Sequence, residues 1–230
     1  MKELYLYWQN SVARESWVLL NMSVLDKISY YQNRRDEIPN QELAQELART
    51  ENKNGVKEIA ENLWNKNKNI QSDCLKVLYE IGYLKPDLIA DYVDDFLKLL
   101  KSKNNRMVWG AMIALATIAE KKPREIFASI DDVVRAVDQG SLITVVWGVK
   151  TLARVASTGN KCRQKIFPIL IAQLRKCIPR DVPMHAESIL PAIDAENKSK
   201  FLSLLESRKT EMTGVQLARL KKITKRLENK

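Results

Sequence analysis

The chain has 230 residues, 45% of them hydrophobic and 29% charged, and a formal net charge of +10. That composition excludes wholesale disorder, and the length allows one or two domains with a sizeable buried core. No apolar run reaches the roughly eighteen residues that a membrane span needs. The three cysteines, Cys74, Cys162 and Cys177, have no metal-ligand spacing, and the last two fall fifteen apart on one expected helix, about 22 Å by helical rise. They read as structural thiols in a reducing cytoplasm, because no secretory signal accompanies them. The charge is uneven: Lys and Arg number 22 against 21 Asp and Glu from Met1 to Gly159, but 16 against 7 from Asn160 to Lys230.

Residues 1–21 carry Tyr5, Tyr7, Trp8 and Trp17 without the pattern that follows. They read either as a loosely ordered leader ahead of a natural start at Met22 or as an aromatic cap. Next come an amphipathic helix from Ser23 to Arg35, a break at Pro39, and Asn40 as N-cap of a helix from Gln41 to Arg49. A helix from Gly55 to Asn65 completes an atypical N-terminal pair spanning residues 22–69, and Asn65 to Asn69 is a polar loop.

From Ile70 a helical hairpin repeats. A shift of 37 residues superposes Leu78, Leu115 and Leu152, and also Ile81, Ile118 and Val155, with Gly82, Ala119 and Ala156 small just beyond. The second half of the unit agrees: Pro86 and Pro123 open second helices, the stripe Ile89, Val93, Phe96, Leu97 and Leu100 is copied by Ile126, Ile130, Val133, Val134 and Val137, and Asp94-Asp95 matches Asp131-Asp132. A third stripe is Ile166, Leu170, Leu174 and Cys177. A degraded fourth copy places Ala186, Leu190 and Ile193 on a helix near Met184 to Ala195, with Lys200 to Ser207 as its partner. The last helix opens with a capping-box spacing, Thr213 to Gln216, and turns Leu217, Leu220, Ile223 and Leu227 inward.

A period near forty, paired helices, a first helix rich in Ala and Leu, and paired aspartates opening the second resemble HEAT repeats. The resemblance covers about Ile70 to Asp194; the family's first-helix Arg is matched loosely by Arg106. It implies an all-α fold, an α-α superhelix of about four HEAT-like hairpins in one domain over residues 22–230, with core repeats over 70–178 and a degraded repeat plus basic capping helix over 179–230. It implies too that the second helices line a concave face and that the function is a non-catalytic scaffold for a protein or peptide partner. Exposed candidates on that face are Asp91, Asp95, Lys98, Asp132, Arg135, Gln173 and Lys176.

The other functional signal is the last helix, where Arg219, Lys221, Lys222, Lys225 and Arg226 are candidates for polyanion binding. The alternative function is therefore a nucleic-acid binder, at its furthest a divergent relative of the HEAT-like DNA alkylation-repair glycosylases. Those enzymes use tryptophans and an acid on one face of a basic groove, whereas Ile113 follows Trp109 by four residues and Thr151 follows Trp147 by four. Trp109 and Trp147 differ by one residue in repeat register and read as packing residues. The paired aspartates recur with the repeat and read as structural, as does the single histidine, His185. No catalytic residue, metal ligand set or cofactor motif emerges.

Overall fold

The computed structural model describes residues 23–228, which form twelve α-helices joined by turns and 3-10 segments, with no strand. Residues 1–22, with the expected leader and Met22 start, lie outside the described residues. The described residues fall into two compact units that divide after Ile81.

The first unit holds α1 (Ile38–Thr50), α2 (Lys53–Glu61) and most of α3 (Lys68–Leu84). The expected helix from Ser23 to Arg35 does not form. Only Val24–Lys27 is helical, as a 3-10 turn, and the chain then bends through Asn33 at φ 54°. Side chains from elsewhere take its backbone donors: Asn40 Oδ1 accepts from the Ser29 N–H at 2.9 Å, and Asp73 Oδ2 from the Tyr30 N–H at 2.8 Å. With those N–H groups engaged, a helical ladder cannot propagate. Asn40 is accordingly not an N-cap; it is buried inside α1, which Pro39 opens in its first turn. Lys76, 8% exposed at its side chain, lies between Glu37 at 2.9 Å and Glu80 at 2.6 Å. Burial works to lower its pKa, but hydrogen bonds to Glu80 and Glu37 outweigh this and hold it above the ordinary lysine range.

In the second unit the end of α3 is followed by α4 (Val93–Leu99), α5 (Asn105–Ile118), α6 (Pro123–Ala128), α7 (Ile130–Gln139), α8 (Leu142–Ser157), α9 (Asn160–Lys176), α10 (Val182–Ile189), α11 (Lys198–Ser207) and α12 (Gly214–Glu228). The first helices α5, α8 and α10 pack side by side, and α12 continues the row. The second helices pack on them, with α4 on α5, α7 on α8, and α9 on both α8 and α10.

Burial follows the repeat. Leu78, Leu115 and Leu152 are 0–1% exposed, and Ile81, Ile118 and Val155 are fully buried. Small residues set the spacing: a Cβ added at Gly148 would lie 2.2 Å from Val137 Cγ2, and one at Gly82 would lie 2.3 Å from Thr117 Oγ1. Both glycines are helical, so space rather than backbone conformation requires them.

The first two second helices are not continuous, as expected from Pro86 and Pro123, but broken. Pro86–Leu88 and Ala90–Tyr92 are 3-10 turns ahead of α4, and α6 is separated from α7 at Ser129 (φ −102°). Asp94-Asp95 and Asp131-Asp132 therefore sit in the first turns of α4 and α7. There free N–H groups and the positive end of the helix favour carboxylates, an arrangement a helix interior would not offer. On α12 the Thr213 N–H donates to Gln216 Oε1 at 2.8 Å, and Leu220, Ile223 and Leu227 are 0–2% exposed, while Leu217 is only half-buried.

A residue not anticipated from sequence closes α9. Arg208, 7% exposed, donates from Nη1 to Leu174 O at 2.9 Å and Arg175 O at 2.7 Å, and from Nη2 to Cys177 O at 2.9 Å. Glu211 holds its other edge in a bidentate pair, both bonds 2.9 Å. The planar fork thus supplies donors to the carbonyls at the end of α9, one of which, Leu174 O, also accepts from the Cys177 thiol.

Gly148→Ala is expected to destabilise the chain by about 1–3 kcal/mol in urea unfolding, as overpacking does. Gly159→Ala has no atom within 4 Å of the added Cβ and an extended φ of 174°, so it is expected to leave the midpoint unchanged or raise it slightly.

Candidate functional site

The second-helix strip expected to meet a partner is largely satisfied within the chain. Asp91 pairs with Lys122 at 2.9 Å, Lys98 with Asp95 at 3.9 Å, and Lys176 with Asp138. Asp132 meets both Lys101 at 2.8 Å and Arg135 at 3.0 Å, and the Lys101 hydrogen bond is the main cause that holds its carboxyl below the usual range. Gln173 is a correction: at 8% exposure it is buried, because it lies beside Leu170, Ile171 and Leu174 on the face of α9 turned to the core. Most of these pairs join one repeat to the next. Asp87–Lys121 at 2.9 Å, Arg163–Asp194 at 2.9 Å and Arg219–Glu187 continue the series. Their charges are thereby spent on register between repeats.

On α12 the five basic candidates divide. Arg219 is engaged by Glu187, and that hydrogen bond is the leading cause of the low Glu187 pKa. Lys221, Lys222, Lys225 and Arg226 are exposed and make no ion pair with any described residue. Arg226 and Lys222 lie near enough to Glu187 to lower its pKa further, which places three cations around one carboxylate.

The first helices carry a third group of side chains. Ile143, Trp147, Lys150 and Arg154 follow one another at four, three and four residues along a single face of α8. Ile143 is 45% exposed and the other three are half-buried. Tyr83, also 45% exposed, brings its ring centroid to 5.7 Å from that of Trp147 at an interplanar angle of 46°. Lys150 Nζ lies 3.9 Å from the Trp147 ring centroid, a cation–π contact. Arg154 Nη1 donates to Ala116 O in the last turn of α5, where carbonyls lack helical donors. Arg106, the loose match to the first-helix Arg of the resemblance, is exposed in the first turn of α5, while Arg154 on α8 reaches across to α5. Trp147 packs between repeats, as its register suggested, and keeps an exposed edge.

Solved structures of the same fold include an engineered protein, 18% identical with a TM-score of 0.60, covering 90% of this chain and 98% of that chain. A designed armadillo repeat protein in complex with the peptide (KR)4 is 16% identical with a TM-score of 0.63, covering 80% of this chain and 85% of that one. A computationally designed armadillo repeat protein for modular peptide recognition is 16% identical with a TM-score of 0.61 and the same coverage. No protein-family model and no curated protein matches the chain. The likeness is one of fold: an all-α, armadillo-like helical repeat architecture.

Burial favours the neutral forms of Cys74, Cys177 and His185. Burial pushes the Cys74 thiol up to about 12 and raises Cys177 as well, opposite to what a nucleophile needs. His185 is 1% exposed, its Nδ1 has no hydrogen-bond partner, and burial lowers its pKa below 6.5 against a weaker opposing effect of Asp181. Among the described residues no three His, Cys, Asp or Glu are placed to hold a metal ion, and no helix is long and apolar enough to cross a membrane. Below pH 6.5 the unfolded chain takes up a proton at this histidine that the folded chain refuses. Stability therefore falls as pH drops from 6.5 toward the depressed folded pKa, with a slope of at most about 1.4 kcal/mol per pH unit. Urea midpoints measured from pH 7.5 to 5.5 are expected to show this slope, and His185→Gln to flatten it.

Proposed function

We propose that the chain is a non-catalytic repeat scaffold that binds a protein or peptide segment in the cytoplasm. The observation that carries this reading is the stripe on α8, where apolar, aromatic and cationic side chains are presented together on a rigid layer of packed helices. The second-helix strip first expected to serve is less suited, because its charges already face partners of their own. Two of the structural neighbours are described by their peptide complex or their peptide recognition, which supports a repeat surface of this kind as a peptide binder. The histidine and two of the cysteines, each kept in its neutral form by burial, support a reading without nucleophilic or acid-base chemistry at these groups.

Selection of a peptide-display library against the full chain is expected to enrich sequences that, resynthesised, bind with micromolar or tighter dissociation constants. Failure of every resynthesised peptide to bind, together with base release from alkylated DNA, would replace this reading with the glycosylase one.

A second reading, polyanion binding, is favoured by one observation: Lys221, Lys222, Lys225 and Arg226 form an exposed basic face with no ion pair within 4 Å to a described residue, and the one carboxylate that Lys222 and Arg226 act on, Glu187, is already held by Arg219. A nucleic-acid binder of this type shifts DNA or RNA probes at about 50 mM salt and loses affinity linearly in log salt. Neutralising those four residues is expected to remove the shift; a mobility-shift titration without any shift in the parent chain eliminates this reading.

A further inference from the structure

We infer that the face of α8 formed by Trp147, Lys150 and Arg154, with Tyr83 beside it, is a docking surface for an extended acidic peptide, the aromatic end taking an apolar side chain and the two cations taking carboxylates. The inference rests on the scaffold reading and adds to it the chemical class of the ligand.

The charge arrangement carries it. Lys101, Lys121, Lys122, Arg135 and Lys176 each meet an aspartate. Lys150 and Arg154, although half-buried and thus partly stripped of water, form no ion pair with any described residue. Burial pushes the Lys150 pKa down, and the adjacent Arg154 pushes it further, so this part of the surface holds two like charges and lacks a counter-charge. An incoming carboxylate relieves that repulsion; an incoming lysine or arginine adds to it.

Geometry narrows the ligand. Lys150 and Arg154 are four residues apart on one helix, a rise of about 6 Å. Alternate side chains of an extended peptide are separated by about 6.6 Å, so acidic residues two apart in sequence match the pair. Ile143, Trp147 and Tyr83 continue the surface as an apolar platform on the N-terminal side of the cations. A phosphate backbone would leave that platform unused. Both cations are already placed, Lys150 on the indole and Arg154 on the Ala116 carbonyl, so docking orders few further side-chain torsions. The designed neighbour that holds (KR)4 shares the fold, but the charge at this face of α8 is of the opposite kind to one that would welcome a basic peptide.

The test is fluorescence anisotropy on the full chain with two labelled heptapeptides, LSESESL and LSKSKSL, at about 50 mM salt. The glutamate peptide is expected to bind and the lysine peptide not to. Lys150→Ala and Trp147→Ala are each expected to weaken binding about tenfold or more, the loss typical of removing a desolvated contact partner. Neutralising Lys221, Lys222, Lys225 and Arg226 together is expected to leave it unchanged. Because Arg154 also supports the end of α5, its role is read from the charge-swapped chain carrying K150E and R154E, which is expected to bind the lysine peptide, a gain that only a folded protein can show. Equal binding of both peptides, or loss with the α12 changes but not with Lys150→Ala, overturns the inference. If display-selected peptides bind but are indifferent to Lys150, Trp147 and the charge swap, the acidic site fails and the scaffold reading stands; if no peptide of any kind binds, both fail.

Discussion

The second unit depends on how closely its first helices approach their neighbours. At Gly148 and Gly82 the space a single methyl group would need is already filled by Val137 and Thr117. Ala111, Ala114, Ala153 and Ala156, all fully buried, keep the same layer thin. Interiors at this density transmit rather than absorb misfit, so the small positions fix the separation of the helices and with it everything carried on their outer faces. Trp147 and Tyr83 meet on this layer with ring centroids 5.7 Å apart.

Charge is distributed over the unit in two ways. Pairs such as Asp91 with Lys122 and Lys101 with Asp132 connect successive repeats and neutralise one another. Exposed pairs of this kind contribute little stability, but they oppose a slip of one repeat against the next, since a slip would bring like charges together. Other cations form no such pair, among them Lys150 and Arg154 on α8 and four on the outer face of α12. Two groups of such cations lie close together in sequence on one helix each, Lys150 with Arg154 and the basic residues of α12. The two differ in character: the α8 pair is half-buried with aromatic rings beside it, while the α12 group is exposed and two of its members lie near Glu187.

Much of the fold was legible in the sequence because it is written twice or more. The 37-residue shift found Leu78, Leu115 and Leu152 before any coordinate, and each is buried as the repeat required. What remained illegible was non-repeating. The segment after Ser23 has a helical pattern, yet Asn40 and Asp73, 11 and 43 residues away from the N–H groups they capture, decide its course. The breaks before α4 and α7 agree with the aspartate pairs, which suit a helix start, but the apolar stripes from Ile89 to Leu100 and from Ile126 to Val137 run across them in one helical phase and so conceal them. Gln173 followed the periodicity of a stripe whose exact phase only packing could set. Lys150 and Arg154 went unnoticed because their equivalents on α5, Ile113 and Thr117, are uncharged, and a search for recurrence discards what appears once.

Arg208 lies one residue beyond α11, yet the carbonyls it satisfies end α9, 31 to 34 residues earlier in the chain. The third hairpin is thus finished chemically by a residue of the fourth. In this array the boundary between repeats marked by the sequence period is crossed by the hydrogen bonds that complete a helix end, so removing the fourth hairpin also removes donors from the third.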